Sequence, residues 1–309
     1  MDLNWYKYLF SCYVKSRLLN IKNPVLAGVK ITHACNLKCK HCPFWSKQAI
    51  SLSFSQVKES FKNLYDLGAR VVIIEGGEPF LWKDNGYDIR DIVKEARELF
   101  FSVGITTNGT FPLEVDSDII WVSIDGLKET HNQMRGESFE KIMSTLENCS
   151  HPRVYAHITI NSVNWEEVPE LVEFISSKVR GITIQFHYPY NGAEDKLFLP
   201  FSERRKVLCN LIKMKKGGLP IANSYACLEA LKDNRWKCHS WMIASVGPDG
   251  KITQGCYVKN RGEISCEKCG FSAHTEISLA YSGVIESLRV GNTIFGLKRR
   301  KRTQAYGRD

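Results

Sequence analysis

The chain has 309 residues, 43% hydrophobic and 24% charged, a globular balance that excludes disordered, collagenous and coiled-coil classes. No apolar run approaches the roughly 20 residues of a membrane span, and the N-terminus lacks the basic-then-apolar layout of a signal peptide, so a cytoplasmic location is expected. Of the formal net charge of +9, six basic residues (Lys298, Arg299, Arg300, Lys301, Arg302 and Arg308) stand in the last twelve positions against Asp309 alone; the body carries only about +4, unremarkable for this length, and a nucleic-acid partner is not expected.

Residues 2–22 read as one helix, rich in Trp5, Tyr6, Tyr8, Leu9, Phe10, Tyr13, Leu18 and Leu19 with Lys7, Lys15, Arg17 and Lys22 between them. Packing against the main body is the favoured role, with peripheral contact at a membrane surface as the alternative. From Val25 on, β-rich apolar runs at 26–31, 70–74, 102–106, 119–124, 154–160 and 181–187 alternate with amphipathic stretches. Helices are expected after Ser53 or Ser55 up to Gly68, over 87–101, 138–148, 166–178 and 202–216. Six such units predict an α/β fold with a parallel sheet covered on both faces. They are too few for a closed eight-unit barrel and suit a partial (β/α)6 TIM-like barrel, with chemistry at the C-terminal strand ends. After about residue 217 the alternation gives way to Gly, Cys and short apolar pieces. The expected division is an N-terminal helix (1–23), the barrel (24–216), a small C-terminal Cys-rich metal module (217–290) and a basic tail (291–309).

Eleven cysteines without a secretion signal point to metal ligation rather than disulfides. Directly after the first strand comes His33-Ala34-Cys35-Asn36-Leu37-Lys38-Cys39-Lys40-His41-Cys42. Three thiolates on one loop hold three irons of a [4Fe-4S] cubane and leave the fourth open; zinc completed by His33 or His41 is the alternative. The second strand ends in Glu75-Gly76-Gly77-Glu78-Pro79, the third in Thr106-Thr107-Asn108-Gly109, the fourth in Ser123-Ile124-Asp125-Gly126, with His131 to Gly136 following.

These stretches, in order on successive strands, resemble the radical S-adenosylmethionine (SAM) superfamily over residues 24–190. The resemblance implies that Cys35, Cys39 and Cys42 ligate a [4Fe-4S] cluster whose fourth iron is chelated by SAM. It implies that Gly76, Gly77 and Glu78 hold the SAM amino group, that Ser123 and Asp125 serve the ribose hydroxyls and that Arg135 serves the SAM carboxylate. Asn161 is implied at ribose or adenine, and Asn108 as a further cofactor contact. The implied activity is reductive SAM cleavage to a 5′-deoxyadenosyl radical, fed by an external one-electron donor, that modifies a substrate.

The C-terminal stretch offers Cys238, Cys256 after a Pro248-Asp249-Gly250 turn, and the close pair Cys266 and Cys269. It looks like a shortened SPASM or Twitch module holding a second, auxiliary [4Fe-4S] cluster, with a four-cysteine zinc site as the alternative and Cys227 as a substitute ligand. That likeness favours a peptide or protein substrate. Some likeness to the hopanoid adenosyl transferase branch, in the N-terminal helix and a Cys-containing C-terminal segment, favours a lipid instead. A reading of another class is a non-catalytic iron-sulfur or zinc module. Cys12, Cys149 and Cys209 are expected as buried apolar residues on helices, and His187, Tyr188 and Tyr190 at the cavity mouth.

Overall fold

In the computed structural model, residues 3–190, 192 and 195–295 are described, and the basic run from Lys298 to Arg308 lies outside them. The strand expectations hold closely: β1 (Leu26–Lys30), β2 (Val71–Glu75), β3 (Ser102–Thr107), β4 (Ile119–Ser123), β5 (Val154–Ile160) and β6 (Gly181–Phe186) pair in sequence order, every neighbour parallel. Helices α2 (Phe54–Leu67), α3 (Ile89–Leu99), α5 (Phe139–Glu147), α6 (Val168–Ile175) and α7 (Phe201–Lys216) fall between or after them. The α4 helix (Lys128–Arg135), which the sequence pattern does not announce, follows β4.

Strand alternation sorts the two faces of the sheet. Ala27, Val29, Val72, Ile74, Val103, Ile105, Ile120, Val122, Ala156 and Ile158 join the outer helices in one large core. In α2, Val57, Phe61 and Leu64 are its contribution, each burial worth roughly 1.5–3 kcal/mol. Ser53 closes a capping box with Gln56, and Gly68, at φ 119°, ends the helix by donating its N–H to the Leu64 and Tyr65 carbonyls. The opposite positions, such as Gly28, Lys30, Gly104, Trp121, His157 and Thr183, face inward. That face is apolar at the N-terminal ends of the strands and polar at their C-terminal ends, where the reactive loops emerge.

The C-terminal third departs from the expected separate module. Strand β7 (Ile243–Val246) pairs parallel with β1, from Leu26↔Ile243 to Val29↔Val246, and β8 (Ile252–Gln254) adds antiparallel to β7, so one sheet runs β6-β5-β4-β3-β2-β1-β7-β8. Helix α1 (Leu3–Leu18) packs Trp5 against Val25, Leu26, Val71, Met242 and Ile243 at the N-terminal end of the strands. With α8 (Tyr225–Leu231) and α9 (Ser272–Tyr281), helix α10 (Ile285–Phe295) completes this end: Ile294 and Phe295 lie on Ile119, Trp121 and Tyr155, and Ser102 Oγ donates to the Phe295 carbonyl at 2.8 Å. Residues 291–295 therefore belong to a helix, not to a tail. The outer face of α1 still exposes Phe10 (69%) and Leu18 (77%). Among the described residues, no helix is long and apolar enough to cross a membrane.

Candidate functional site

The cysteine loop leaves β1 at its C-terminal end and is pinned from its own side chains. Thr32 Oγ1 accepts from the Ala34 N–H (2.9 Å) and shares a 2.6 Å hydrogen bond with the Ser51 hydroxyl. Asn36 Nδ2 donates to Thr110 Oγ1 (2.9 Å), Asn108 Nδ2 donates to Asn36 Oδ1 (2.8 Å), and Asn108 Oδ1 accepts from Thr110 Oγ1 (2.7 Å). This triangle ties the loop to the end of β3. On the other side, the Lys40 N–H donates to the Met134 carbonyl and Trp45 Nε1 to the Cys39 carbonyl.

Gly76 and Gly77 dock edge-on against the same loop. The Gly77 and Glu78 N–H groups donate to the Thr32 and Ala34 carbonyls at 2.7 and 2.8 Å, and a Cβ on Gly77 would stand 2.2 Å from the Ala34 oxygen. The pair is thus required by close approach of backbone to backbone. Glu78 is fully buried. Its Oε1 accepts from Thr107 Oγ1 (2.7 Å) and the Phe80 N–H (3.1 Å), and its Oε2 from the Asn108 N–H (2.7 Å). Burial outweighs these donors and raises its pKa to about 7.

Asp125 and Arg135, expected as two separate cofactor contacts, are joined to each other. Arg135 Nε donates to Asp125 Oδ2 at 2.5 Å, the pair is buried, and Arg135 Nη1 reaches Cys39 Sγ at 3.8 Å. Asp125 Oδ1 also accepts from the Thr159 N–H at 2.8 Å. Burial alone would raise the Asp125 pKa; Arg135, then His41, overcome it and hold it at about 2. Asn161 spends its side chain locally, accepting from the Val163 N–H and donating to the Thr159 carbonyl. Ser123 ends β4 and is buried beside His157 of β5 in the register.

All eleven cysteines are free thiols. Among the described residues, no three His, Cys, Asp or Glu side chains already form a metal cage, so the ligand assignments rest on the donor set. Its chemistry fits a cluster: three thiols on one loop, with N–H donors aimed at two of them from Leu37 and Asn108 (to Cys35, 3.5 and 3.9 Å) and from Arg135 (to Cys39). Burial raises the Cys39 pKa to about 11, so metal loading releases protons here.

In the C-terminal segment, Cys238 precedes β7, Cys256 follows β8, and Cys266 and Cys269 flank a short 3-10 turn. Burial first, then the other cysteines of this set, raise Cys238 to about 11 and Cys269 to about 12. Cys227 is not in this set; it is fully buried on α8, its thiol facing the Ser272 carbonyl at 3.9 Å. Cys209 is exposed on the outward face of α7, and Cys12 and Cys149 are half-buried, Cys149 beyond the end of α5, so the expectation of three buried helical cysteines is corrected. Tyr188 stacks on Phe271 and donates to the Glu263 carbonyl, binding β6 to the second cysteine segment.

Sequence reasoning passed over Asn36, Thr110, Lys30, Tyr257 and Arg261, and gave Glu75 no role of its own. The only signal was a charged residue at an inward strand position, as at Lys30. The fully buried His131 and His274 also escaped it. Burial lowers each pKa to about 4, so below 6.5 the unfolded chain binds protons the folded chain refuses, and stability falls as pH falls from 6.5 to 4. The cost is about 3 kcal/mol per histidine at most. Urea unfolding of a His274→Leu variant should lose part of that acid sensitivity; an unchanged slope would refute it.

The chain matches the Radical SAM superfamily model over residues 29–175. It is 29% identical over 191 residues to Fe-coproporphyrin III synthase of Methanosarcina barkeri, covering 57% of this chain and 47% of that protein. It is likewise 29% identical over 164 residues to the sporulation killing factor maturation protein SkfB of Bacillus subtilis, covering 48% and 39%. The chain spans about half the length of the curated relatives it matches. Among solved structures, Streptococcus suis SuiB bound to S-adenosylmethionine shares the fold, with a TM-score of 0.64 at 15% identity over 98% of this chain and 75% of that one. Sequence match and shared fold agree: residues 29–175 are similar to the Radical SAM superfamily, whose members are enzymes.

Proposed function

We propose that the protein uses a [4Fe-4S] cluster on Cys35, Cys39 and Cys42, with SAM, to modify a peptide or protein substrate. The observation that carries this is the docking of the Gly76-Gly77-Glu78 segment and the Asn36-Asn108-Thr110 triangle onto the loop of three free thiols. When bound, the cluster and SAM supply a 5′-deoxyadenosyl radical by one-electron reductive cleavage. The chain's own work is to hold and shield. Leu37, Asn108 and Arg135 present N–H groups to the cysteine sulfurs, which tunes reduction potential. The Asp125–Arg135 pair keeps a fixed dipole beside Cys39, and Gly76 and Gly77 leave carbonyl edges for an ammonium group. Peptide-modifying relatives such as SkfB, and SuiB solved with its precursor peptide, support the substrate class. The four C-terminal cysteines are proposed to hold an auxiliary [4Fe-4S] cluster.

Iron and sulfide per chain after anaerobic reconstitution test both assignments. About eight irons are expected, falling to about four when Cys35, Cys39 and Cys42 become Ala, with 5′-deoxyadenosine formation under dithionite abolished. Zinc in place of iron, or undiminished SAM cleavage, would overturn the reading. The exposed Phe10 and Leu18 beside Lys7 and Arg17 on α1 favour a second feature, peripheral contact with an anionic membrane. Sedimentation with phosphatidylglycerol vesicles should fall several-fold in a Phe10→Glu, Leu18→Glu variant, and equal sedimentation would remove that reading.

A further inference from the structure

A second polar cluster stands at the C-terminal ends of β1 and β2, beside the cysteine loop but outside the contacts described above. Lys30 faces the barrel interior with 4% exposure. Its Nζ donates to the Tyr257 hydroxyl at 2.7 Å, lies 3.3 Å from Glu75 Oε1, its register partner on β2, and sits 4.6 Å over the Phe44 ring. Tyr257 and Arg261 come from the segment after β8, and the Arg261 guanidinium stacks on the Tyr257 ring at 3.9 Å. Tyr190 closes a further side, edge-on to Phe44 at 6.2 Å.

One atom here lacks what burial ordinarily demands. Arg261 Nη1 is buried without a hydrogen-bond partner, although buried N–H groups nearly always find one, whereas Glu75 Oε1 is ion-paired with Lys30. Lys30 is paired with Glu75, which leaves the Arg261 charge in excess in a cluster walled by Phe44, Tyr190 and Tyr257. A half-buried guanidinium whose buried Nη1 has no acceptor calls for an anionic one. The single excess charge fits a carboxylate; a phosphate dianion would meet Glu75 as a second negative group.

Resting on the function proposed above, we infer that Arg261 and Lys30 form a docking site for a carboxylate of the substrate, with Glu75 holding Lys30 in place and accepting a donor from the same ligand. The source of the carboxylate is an acidic peptide residue or a free small acid. Both present the same group to Arg261. The site joins the sheet to the C-terminal segment, so substrate binding here would couple the two cysteine regions mechanically.

The test uses the full chain, reconstituted and SAM-loaded, with two matched pairs of probes: a labelled, end-capped pentapeptide with a central glutamate against its glutamine counterpart, and 2-naphthoate against 2-naphthamide. In at least one pair the acid should bind about tenfold tighter than its neutral partner. Arg261→Gln should erase that preference and Arg261→Lys keep part of it, with iron content and thermal transition of each variant reporting that it is folded. The pair that shows the preference identifies the source. Absence of a preference in both pairs, a preference that survives Arg261→Gln, or 2-naphthyl phosphate outbinding 2-naphthoate would overturn the inference. A wild-type chain that fails to cleave SAM would instead take down the reading beneath it, whereas cleavage without acid preference refutes only the docking site.

Discussion

Gly77→Ala should unfold the cysteine loop from the barrel and strip iron from the first site. A methyl at this position would lie 2.2 Å from the Ala34 oxygen and 2.5 Å from the His33 oxygen, both backbone atoms. Neither side can yield by rotating a side chain. Relief requires the loop to move by about an ångström, which breaks the Gly77-to-Thr32 and Glu78-to-Ala34 hydrogen bonds that dock it. Overpacking of this kind costs about 3 kcal/mol or more, on top of about 1 kcal/mol for each lost hydrogen bond. The expected readouts are a urea midpoint lowered accordingly and first-site iron reduced to a small residue, with the C-terminal iron retained. A second substitution sets the contrast. Gly291 lies inside α10, and a methyl added there would meet no atom within 4 Å, so Gly291→Ala should stabilise by about 0.5–1 kcal/mol through helix propensity. Equal effects from the two alanines would show that the close approach at Gly77 is not what fixes the loop.

The contrast between these glycines marks how far the sequence could be read. Period and punctuation placed six strands and five of the helices within a few residues, because Ser53, Gly68 and runs such as Val71-Val72-Ile73-Ile74 are local signals whose physics does not depend on the rest of the chain. The cysteine spacing and the motifs at successive strand ends named residues that the fold brings together around the cysteine loop. Pairing within the site was not legible. Asp125 and Arg135 looked like two arms reaching for a cofactor; only the fold shows that α4 brings one onto the other. The same holds for β7, a four-residue run before a Pro248-Asp249-Gly250 turn, which reads as half of a local hairpin until its register against β1 is known. Tail-like residues 291–295 became a helix because Ile294 and Phe295 have a barrel end to cover. These misses are long-range contacts, which composition and period do not encode.

Arg135→Ala should be the most damaging single change outside the proposed cluster ligands and the glycine pair. Asp125 is fully buried, and removing its guanidinium partner leaves a carboxylate in a low-dielectric site with only the Thr159 N–H and His41, at 3.7 Å, for company. Breaking a buried pair in this way costs about 3–5 kcal/mol. The pH dependence gives the test its sign. In the wild type the Asp125 pKa is held at about 2, below its ordinary 3.8, so the pair's contribution is fully present above about pH 4 and is lost as pH falls toward 2. In Arg135→Ala, burial is opposed only by His41 and the Thr159 N–H, the carboxyl titrates higher than in the wild type, and acidification relieves the strain by protonating it. The stability gap between wild type and variant should therefore be widest at neutral pH and narrow on acidification. Arg135→Lys should recover part of the gap, since it restores charge without the planar fork, and the double variant Asp125→Asn, Arg135→Gln should recover more, because no buried charge remains. The change also removes the N–H donor to Cys39, so a reconstituted Arg135→Ala protein should show a shifted cluster reduction potential. A gap below about 1 kcal/mol that ignores pH would mean that Asp125 is solvated, and would remove the buried pair from the account of how the cysteine loop is held.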